Sequence, residues 1–153
     1  MSLLLKLVYD TNALRQRYVT AHRKIFGLSF GRVVRLSRES AAADFETQVA
    51  RLSELVTELR QLRNKLGKLQ ESELRQRTGR ELREALADYT GALEDSVGKL
   101  KRICERNAQE LRGVAEFRLY SLGDYRFDRI AYDDAVQHHK RIGLRLNQLL
   151  SNF

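Results

Sequence analysis

The amino-acid sequence predicts an all-α protein: an antiparallel four-helix bundle whose two long central helices extend beyond it as a coiled-coil hairpin. Three observations favour this class. Apolar residues recur at steps of three and four along most of the chain. The 153 residues include no proline, so nothing obliges a long helix to kink or end. No window alternates apolar and polar residues as a half-buried strand does. The whole chain, residues 1–153, is interpreted as one domain.

The first predicted helix begins with the N-terminal leucines and ends at Phe26. The segment that follows contains Gly27 and Gly31 on either side of a serine, which is typical of a helix stop followed by a loop. The apolar face of this helix has steps of three and four, and comprises Leu4, Leu7, Thr11, Leu14, Tyr18, Ala21 and Ile25.

The second predicted helix runs from Val33 to about Gln70 and has the most regular pattern in the chain. At 1.5 Å per residue it would be roughly 55 Å long. The polar segment from Gly67 to Ser72 favours a reversal of the chain, and a continuous helix through it is the alternative. The apolar stripe comprises Phe45, Val49, Leu52, Leu55, Val56, Leu59, Leu62, Leu66 and Leu69.

A third helix is predicted from Glu73 to Ser121, although it contains four glycines that each cost roughly 1 kcal/mol relative to alanine. Gly123 and Asp124 then indicate a turn. The last helix is predicted from about Arg129 to Ser151. Its apolar side comprises Ala131, Ala135, His138, Ile142, Leu146, Leu149 and Phe153.

Folding the chain back at about Glu71 pairs the two long helices and places both outer helices at the far end of the hairpin. The outer helices would end near Leu52 and Val97, leaving a two-helix extension over roughly residues 52–93. Such an extension would expose half of its apolar stripe, so a homodimer is predicted. The alternative is that the helices end elsewhere and the bundle covers the whole hairpin. The candidate protein-binding residues here are Leu55, Val56, Leu62 and Leu66.

A second candidate protein-binding surface lies in the loops at the base of the bundle. Phe30, Tyr125 and Phe127 are expected there beside Arg126, and aromatic residues with arginine are typical of binding hot spots. Phe26 and Tyr120 are expected to cap the core instead.

The formal net charge is +8, and the bases are unevenly distributed. Between Thr11 and Arg38 there are seven bases and no acid, so a phosphate backbone could bind there. Nucleic-acid binding is therefore the alternative function, although a solvated basic face is the simpler interpretation. The candidate residues are Arg15, Arg17, Arg23, Lys24, Arg32, Arg35 and Arg38.

No constellation of residues indicates catalysis, because the sequence contains no glycine-rich phosphate loop, serine elbow or CxxC pair. Asp134 and His138 have the spacing of a helical metal site, but one such pair is too few, and His138 is expected to be a buried, hydrogen-bonded imidazole. The single cysteine, Cys104, is expected to be an inert core thiol and fits a reducing, cytoplasmic setting. No cofactor and no metal are predicted.

The sequence therefore predicts a non-enzymatic protein–protein interaction module: an adaptor, a scaffold or a subunit of a larger assembly. A second alternative is that the apolar first helix associates with a membrane surface. No helix is expected to span a bilayer, since no run of eighteen apolar residues occurs.

Overall fold

The structure, a computed structural model, describes residues 2–30, 38–74, 76–113 and 122–153, with side chains at all of these except residues 28–30, 38, 122 and 123. Five helices and no strand occur in these ranges, which confirms the predicted all-α class. The helices are α1 (Leu3–Phe30), α2 (Arg38–Gly67), the single turn α3 (Glu71–Leu74), α4 (Arg77–Leu111) and α5 (Leu122–Ser151).

Helix α1 is longer than predicted. Ser2 precedes its first residue, and the Ser2 hydroxyl accepts a hydrogen bond from the Leu5 backbone N–H at 3.3 Å, as an N-cap side chain does. The predicted stop at Gly27 is wrong, because the helix continues through it to Phe30. The buried side chain of Ile25 and the packed ring of Phe26 hold this part of α1 against the core. Tertiary packing therefore outweighs the low helix propensity of one glycine.

The chain reverses where the sequence predicted it. Helix α2 ends at Gly67 and α4 begins at Arg77, so a continuous helix through this segment is excluded. The connection packs against the core, because Leu69 and Leu74 are both buried. The Glu73 carboxylate accepts a hydrogen bond from the Gln70 backbone N–H at 3.0 Å, which is half of a capping box at the start of α3.

Helix α4 ends ten residues before its predicted end at Ser121. Gly113 follows it with a φ of +69°, a left-handed conformation that glycine adopts without strain. The Gly113 N–H donates to the Glu110 carbonyl at 3.0 Å. Gly113 was expected to be an internal helical residue that weakens the helix, and it is instead the residue that ends it.

Helix α5 begins at Leu122, so the turn predicted at Gly123 and the helix start predicted at Arg129 are both wrong. Asp124 lies in the first turn, where a negative charge interacts favourably with the helix dipole. The predicted core face is correct at Ala135 and Leu146, which are buried, and wrong at Ala131, His138 and Phe153, which are exposed. His139 is buried and His138 is exposed, and Tyr132 is fully buried although no predicted stripe included it.

The outer helix α1 runs the whole length of the hairpin rather than half of it. Its 28 residues correspond to about 42 Å, and it contacts α3 at the reversal. Three of the candidate protein-binding leucines are consequently buried within the single chain: Leu55, Leu62 and Leu66 are 2%, 5% and 1% exposed, and Val56 is half-buried. The exposed extension is therefore not found, and the ground for predicting a homodimer is removed.

Helix α4 lies at the centre of the packing, against α2 on one side and α5 on the other. Helix α1 packs against α2 and α4 but makes no backbone contact with α5 over the described residues. Two ion pairs link α2 to α4, from Arg60 and Arg63 to Glu94 at 2.6 and 2.8 Å. Within the described part of the chain, no helix has the length and hydropathy needed to cross a membrane.

Candidate functional site

An open groove lies between α1 and α5, with α4 beneath it. It exists because α1 and α5 do not come into backbone contact, and its volume is about 970 Å³. The lining residues on α1 extend from Val8 to Arg23, and those on α5 extend from Val136 to Leu150. At 1.5 Å per residue each wall is roughly 20 Å long, which is the length of about four helical turns.

The groove is mainly apolar. Two large apolar side chains at its edges are well exposed, Tyr9 and Leu144, each at 65%. Exposed apolar residues that border a concave surface are typical of interaction sites, whereas apolar residues scattered singly over a surface are common in all proteins. The apolar lining comprises Val8, Val19, Leu86, Val136, Leu146 and Leu150.

The charged residues of the groove are all basic. Among the described residues that line it, Arg15, Arg23, Lys140 and Arg141 are bases and none is an acid. Burial raises the pKa of the Tyr89 hydroxyl, the charge of Arg15 acts in the opposite direction, and the Tyr89 ring packs edge-on against the His139 ring. Four cations beside an apolar surface give the groove a positive potential that favours an anionic partner.

Four rings, Tyr18, His22, Phe26 and Tyr132, join α1 to α5 at one end of the groove; we call them the aromatic bridge. The Tyr132 hydroxyl lies 2.5 Å from the Tyr18 hydroxyl and 2.6 Å from His22 Nδ1. The Phe26 ring lies 4.7 Å from the His22 ring, between centroids. The guanidinium of Arg129 lies 3.9 Å from the Phe26 centroid, a cation–π contact. The bridge sets the separation of the two walls.

Burial keeps the aromatic bridge uncharged. It raises the pKa of the Tyr132 hydroxyl and that of the Tyr18 hydroxyl, because a phenolate would lose its hydration. Burial also lowers the pKa of His22, and the nearby charges of Arg129 and Lys140 act in the same direction. A neutral imidazole can accept at Nδ1 while the Tyr132 hydroxyl donates to it. The bridge is therefore a hydrogen-bonded strut between two helices.

His139 is more deeply buried than His22, only 4% exposed, and its Nδ1 lies 2.7 Å from the Ser96 hydroxyl oxygen of α4. Burial lowers the pKa of His139 to about 4, and the charges of Lys140 and Arg15 add to that effect. The unfolded chain takes up this proton at a pKa of roughly 6.5. The neutral, buried His139 ring therefore contributes fully to the unfolding free energy at a pH above its unfolded pKa. This contribution is lost as the pH falls from there towards 4.

This difference predicts an acid sensitivity that one substitution removes. Between pH 7.5 and pH 5 the folded protein should lose about 2 kcal/mol of unfolding free energy through His139. The variant His139→Gln should lose about 2 kcal/mol less than the wild type over that range. Urea unfolding followed by circular dichroism at the two pH values measures this. His138→Gln, at the exposed neighbouring position, is the control, and equal losses in all three proteins would contradict the prediction.

The predicted surface at the base of the bundle is only partly formed by described residues. Phe127 is 76% exposed and Arg126 is exposed beside it, whereas Tyr125 is half-buried against the core. All three lie in the first turns of α5 and not in a loop. Phe26 packs against the core as expected. The side chain of Phe30 and all of Tyr120 lie outside the described residues.

The basic stretch does not form one continuous surface. Arg17 pairs with Glu58 and, at 3.9 Å, with Glu54, so it has acidic partners on α2 that the local sequence could not reveal. Arg15 and Arg23 line the groove. Arg23 and Lys24 also line a second pocket between α1 and α2. The remaining three candidates, Arg32, Arg35 and the side chain of Arg38, lie outside the described residues.

The described residues contain no group of three histidine, cysteine or acidic side chains placed to hold a metal ion. Asp134 and His138, the pair considered from the sequence, are both exposed on α5. Cys104 is fully buried, and burial raises its thiol pKa to about 12. The thiol therefore stays protonated, which agrees with the inert packing role expected of it.

No protein-family model matches this chain, and searches of curated proteins and of solved structures give no match either.

Proposed function

We propose that this protein is a non-enzymatic protein-binding module whose groove between α1 and α5 takes up an acidic, amphipathic helix of a partner protein. One observation carries the proposal: two helices without backbone contact enclose an apolar concave surface whose charged lining residues, in the described structure, are four bases. The interaction surface is thus assigned to the groove and not to the hairpin leucines.

The dimensions favour a helix as the occupant. Each wall is roughly 20 Å long, which a helix of about 14 residues would match. A helix that lies in a groove inserts side chains at steps of three and four, and such steps would follow the apolar lining along its length. Tyr9 and Leu144, exposed at the two edges, would be covered on binding.

The charges favour an acidic occupant. Arg15 on one wall and Lys140 and Arg141 on the other would flank the bound helix on both sides. Complementary charge at the edge of an interface speeds association and selects partners, more than it adds affinity. We therefore expect binding to an acidic helix to weaken with rising salt, but without the steep dependence of a phosphate polymer.

A designed peptide tests this proposal. The probe is a fluorescein-labelled peptide of about 15 residues with leucines along one helical face and glutamates on either side of them. A peptide of the same composition, with its leucines spread around the helix, is the control. Fluorescence anisotropy at low salt should show saturable binding of the first peptide and binding at least tenfold weaker of the second.

Charge reversal provides the sharper measurement. The double variant Lys140→Glu/Arg141→Glu should bind the acidic peptide at least tenfold more weakly, and should gain affinity for a version with lysines in place of the glutamates. Arg145→Glu, on the same helix but outside the groove lining, should behave as the wild type does. The proposal is wrong if all three proteins bind both peptides alike, or if only mixed-sequence RNA binds, with a steep salt dependence.

A further inference from the structure

A second pocket lies between α1 and α2, on the other side of Arg23 from the groove lining, with a volume of about 630 Å³. Its α2 wall consists of Asp44, Thr47, Gln48 and Arg51, which share one face because their steps are three, one and three. Its α1 wall includes Arg23 and Lys24. Pockets of a few hundred Å³ hold small ligands.

Gln48 is the feature of this pocket that packing does not explain. Its side chain is only 5% exposed, and its Oε1 atom is buried without a hydrogen-bond partner among the described residues. A buried carbonyl oxygen without a donor is costly, since it has given up its bonds to water. Because Gln48 lines the pocket, a turn of its side-chain amide towards a bound ligand would give this enclosed oxygen the missing donor.

The charges of the pocket identify the other part of the ligand. Three bases, Arg23, Lys24 and Arg51, line it with a single acid, Asp44. Among the described residues, none of these three bases takes part in an ion pair; the ion pairs there involve other arginines and lysines. Lysine and arginine are the side chains that bind phosphate most strongly. Asp44 repels a phosphate but accepts a hydrogen bond from a hydroxyl, as the Gln48 oxygen does.

We propose that this pocket binds a small phosphomonoester that also carries hydroxyl groups. The phosphate lies among Arg51, Lys24 and Arg23, and a hydroxyl of the same molecule donates to Gln48 Oε1. Thr47 lies between Asp44 and Gln48, and its own hydroxyl donates to the Ala43 carbonyl at 3.0 Å, so it remains able to accept a bond from the ligand. This site shares Arg23 with the groove, but the proposal does not rest on the function proposed for the groove.

Three probes separate the two halves of the recognition. Inorganic phosphate has the charge alone, glycerol has the hydroxyls alone, and glycerol 3-phosphate has both. Isothermal titration calorimetry at low salt should show glycerol 3-phosphate binding at least tenfold more tightly than phosphate, with no binding of glycerol. Equal binding of glycerol 3-phosphate and phosphate would overturn the proposal, as would binding of neither one.

Substitutions locate the site. Gln48→Met keeps the length of the side chain but removes the acceptor. Its affinity for glycerol 3-phosphate should therefore fall to its affinity for phosphate, and the latter should equal that of the wild type. Arg51→Gln should weaken the binding of both ligands at least fivefold. Arg145→Gln, on α5 outside the pocket, should leave the binding of both unchanged. Without ligand, Gln48→Met should melt at the same temperature as the wild type or higher, because it removes an unpartnered oxygen. Unchanged glycerol 3-phosphate affinity in Gln48→Met, or binding of mixed-sequence RNA alone, would overturn the proposal.

Discussion

Replacement of Tyr132 by alanine should lower the free energy of unfolding by about 4 kcal/mol, a large part of the total for a domain of this size. Tyr132 is fully buried and its hydroxyl bonds to the Tyr18 hydroxyl and to His22 Nδ1. The substitution removes a ring from the core, and it leaves the buried Tyr18 hydroxyl and the half-buried His22 ring without their partner. Urea unfolding followed by circular dichroism measures the loss.

Two further variants divide this effect into parts. Tyr132→Phe keeps the ring but removes the hydroxyl, and should cost about 1–2 kcal/mol. Tyr9→Ala removes the same side chain from an exposed position of α1 and should stay within about 0.5 kcal/mol of the wild type. If Tyr132→Ala were no more destabilising than Tyr9→Ala, α1 and α5 would not be joined through the aromatic bridge. If the alanine variant fails to fold, the loss of unfolding free energy in Tyr132→Phe tests the aromatic bridge instead.

Replacement of Gly79 by alanine should destabilise the protein by at least about 2 kcal/mol, although alanine favours a helix more than glycine does. A Cβ atom at Gly79 would lie far inside the contact distance of the Leu74 carbonyl oxygen, and 3.0 Å from the carbonyl carbon. Neither atom can move alone, because both belong to the backbone of the reversal between α3 and α4. The Arg80–Glu71 ion pair at 2.7 Å crosses the same junction.

Gly98 is the matched control for Gly79, since it lies in the same helix with open space around its Cα. Gly98→Ala should stabilise the protein by about 0.5–1 kcal/mol. Differential scanning calorimetry should therefore show Gly79→Ala melting roughly 4–8 °C below the wild type and Gly98→Ala a few degrees above it. If Gly79→Ala and Gly98→Ala raised the melting temperature equally, the junction between α3 and α4 would not be packed as described.

The sequence predicts the helical class and the chain reversal because both depend on local patterns. The stripe from Leu52 to Leu69 repeats with the helical period, and every one of its leucines is buried. Helix ends are less predictable, because glycine suits both a helix interior and a helix stop. Gly27 lies within α1 and Gly113 follows the end of α4 with a positive φ, and only the surrounding packing separates the two cases.

The groove could not be predicted from the sequence, because it depends on the distance between two helices far apart along the chain. That distance is set by the rings of Tyr18 and Tyr132, which are 114 residues apart. Likewise, the stretch from Thr11 to Arg38 contains no acid, but Arg17 forms an ion pair with Glu58 of α2, which the local sequence could not reveal. The apolar residues Tyr9 and Leu144, outside the predicted stripes, were the available signal for the groove.

The most direct test of the central claim, that the groove between α1 and α5 is the protein-binding surface, is methyl NMR mapping with the acidic peptide. Adding the peptide should shift the methyl signals of the groove lining residues Val19, Val136 and Leu146, and leave those of Leu52 and Leu100, buried in the core, unshifted. Shifts confined to Ile130 at the opposite end of α5, or no shifts at saturating peptide, would contradict it.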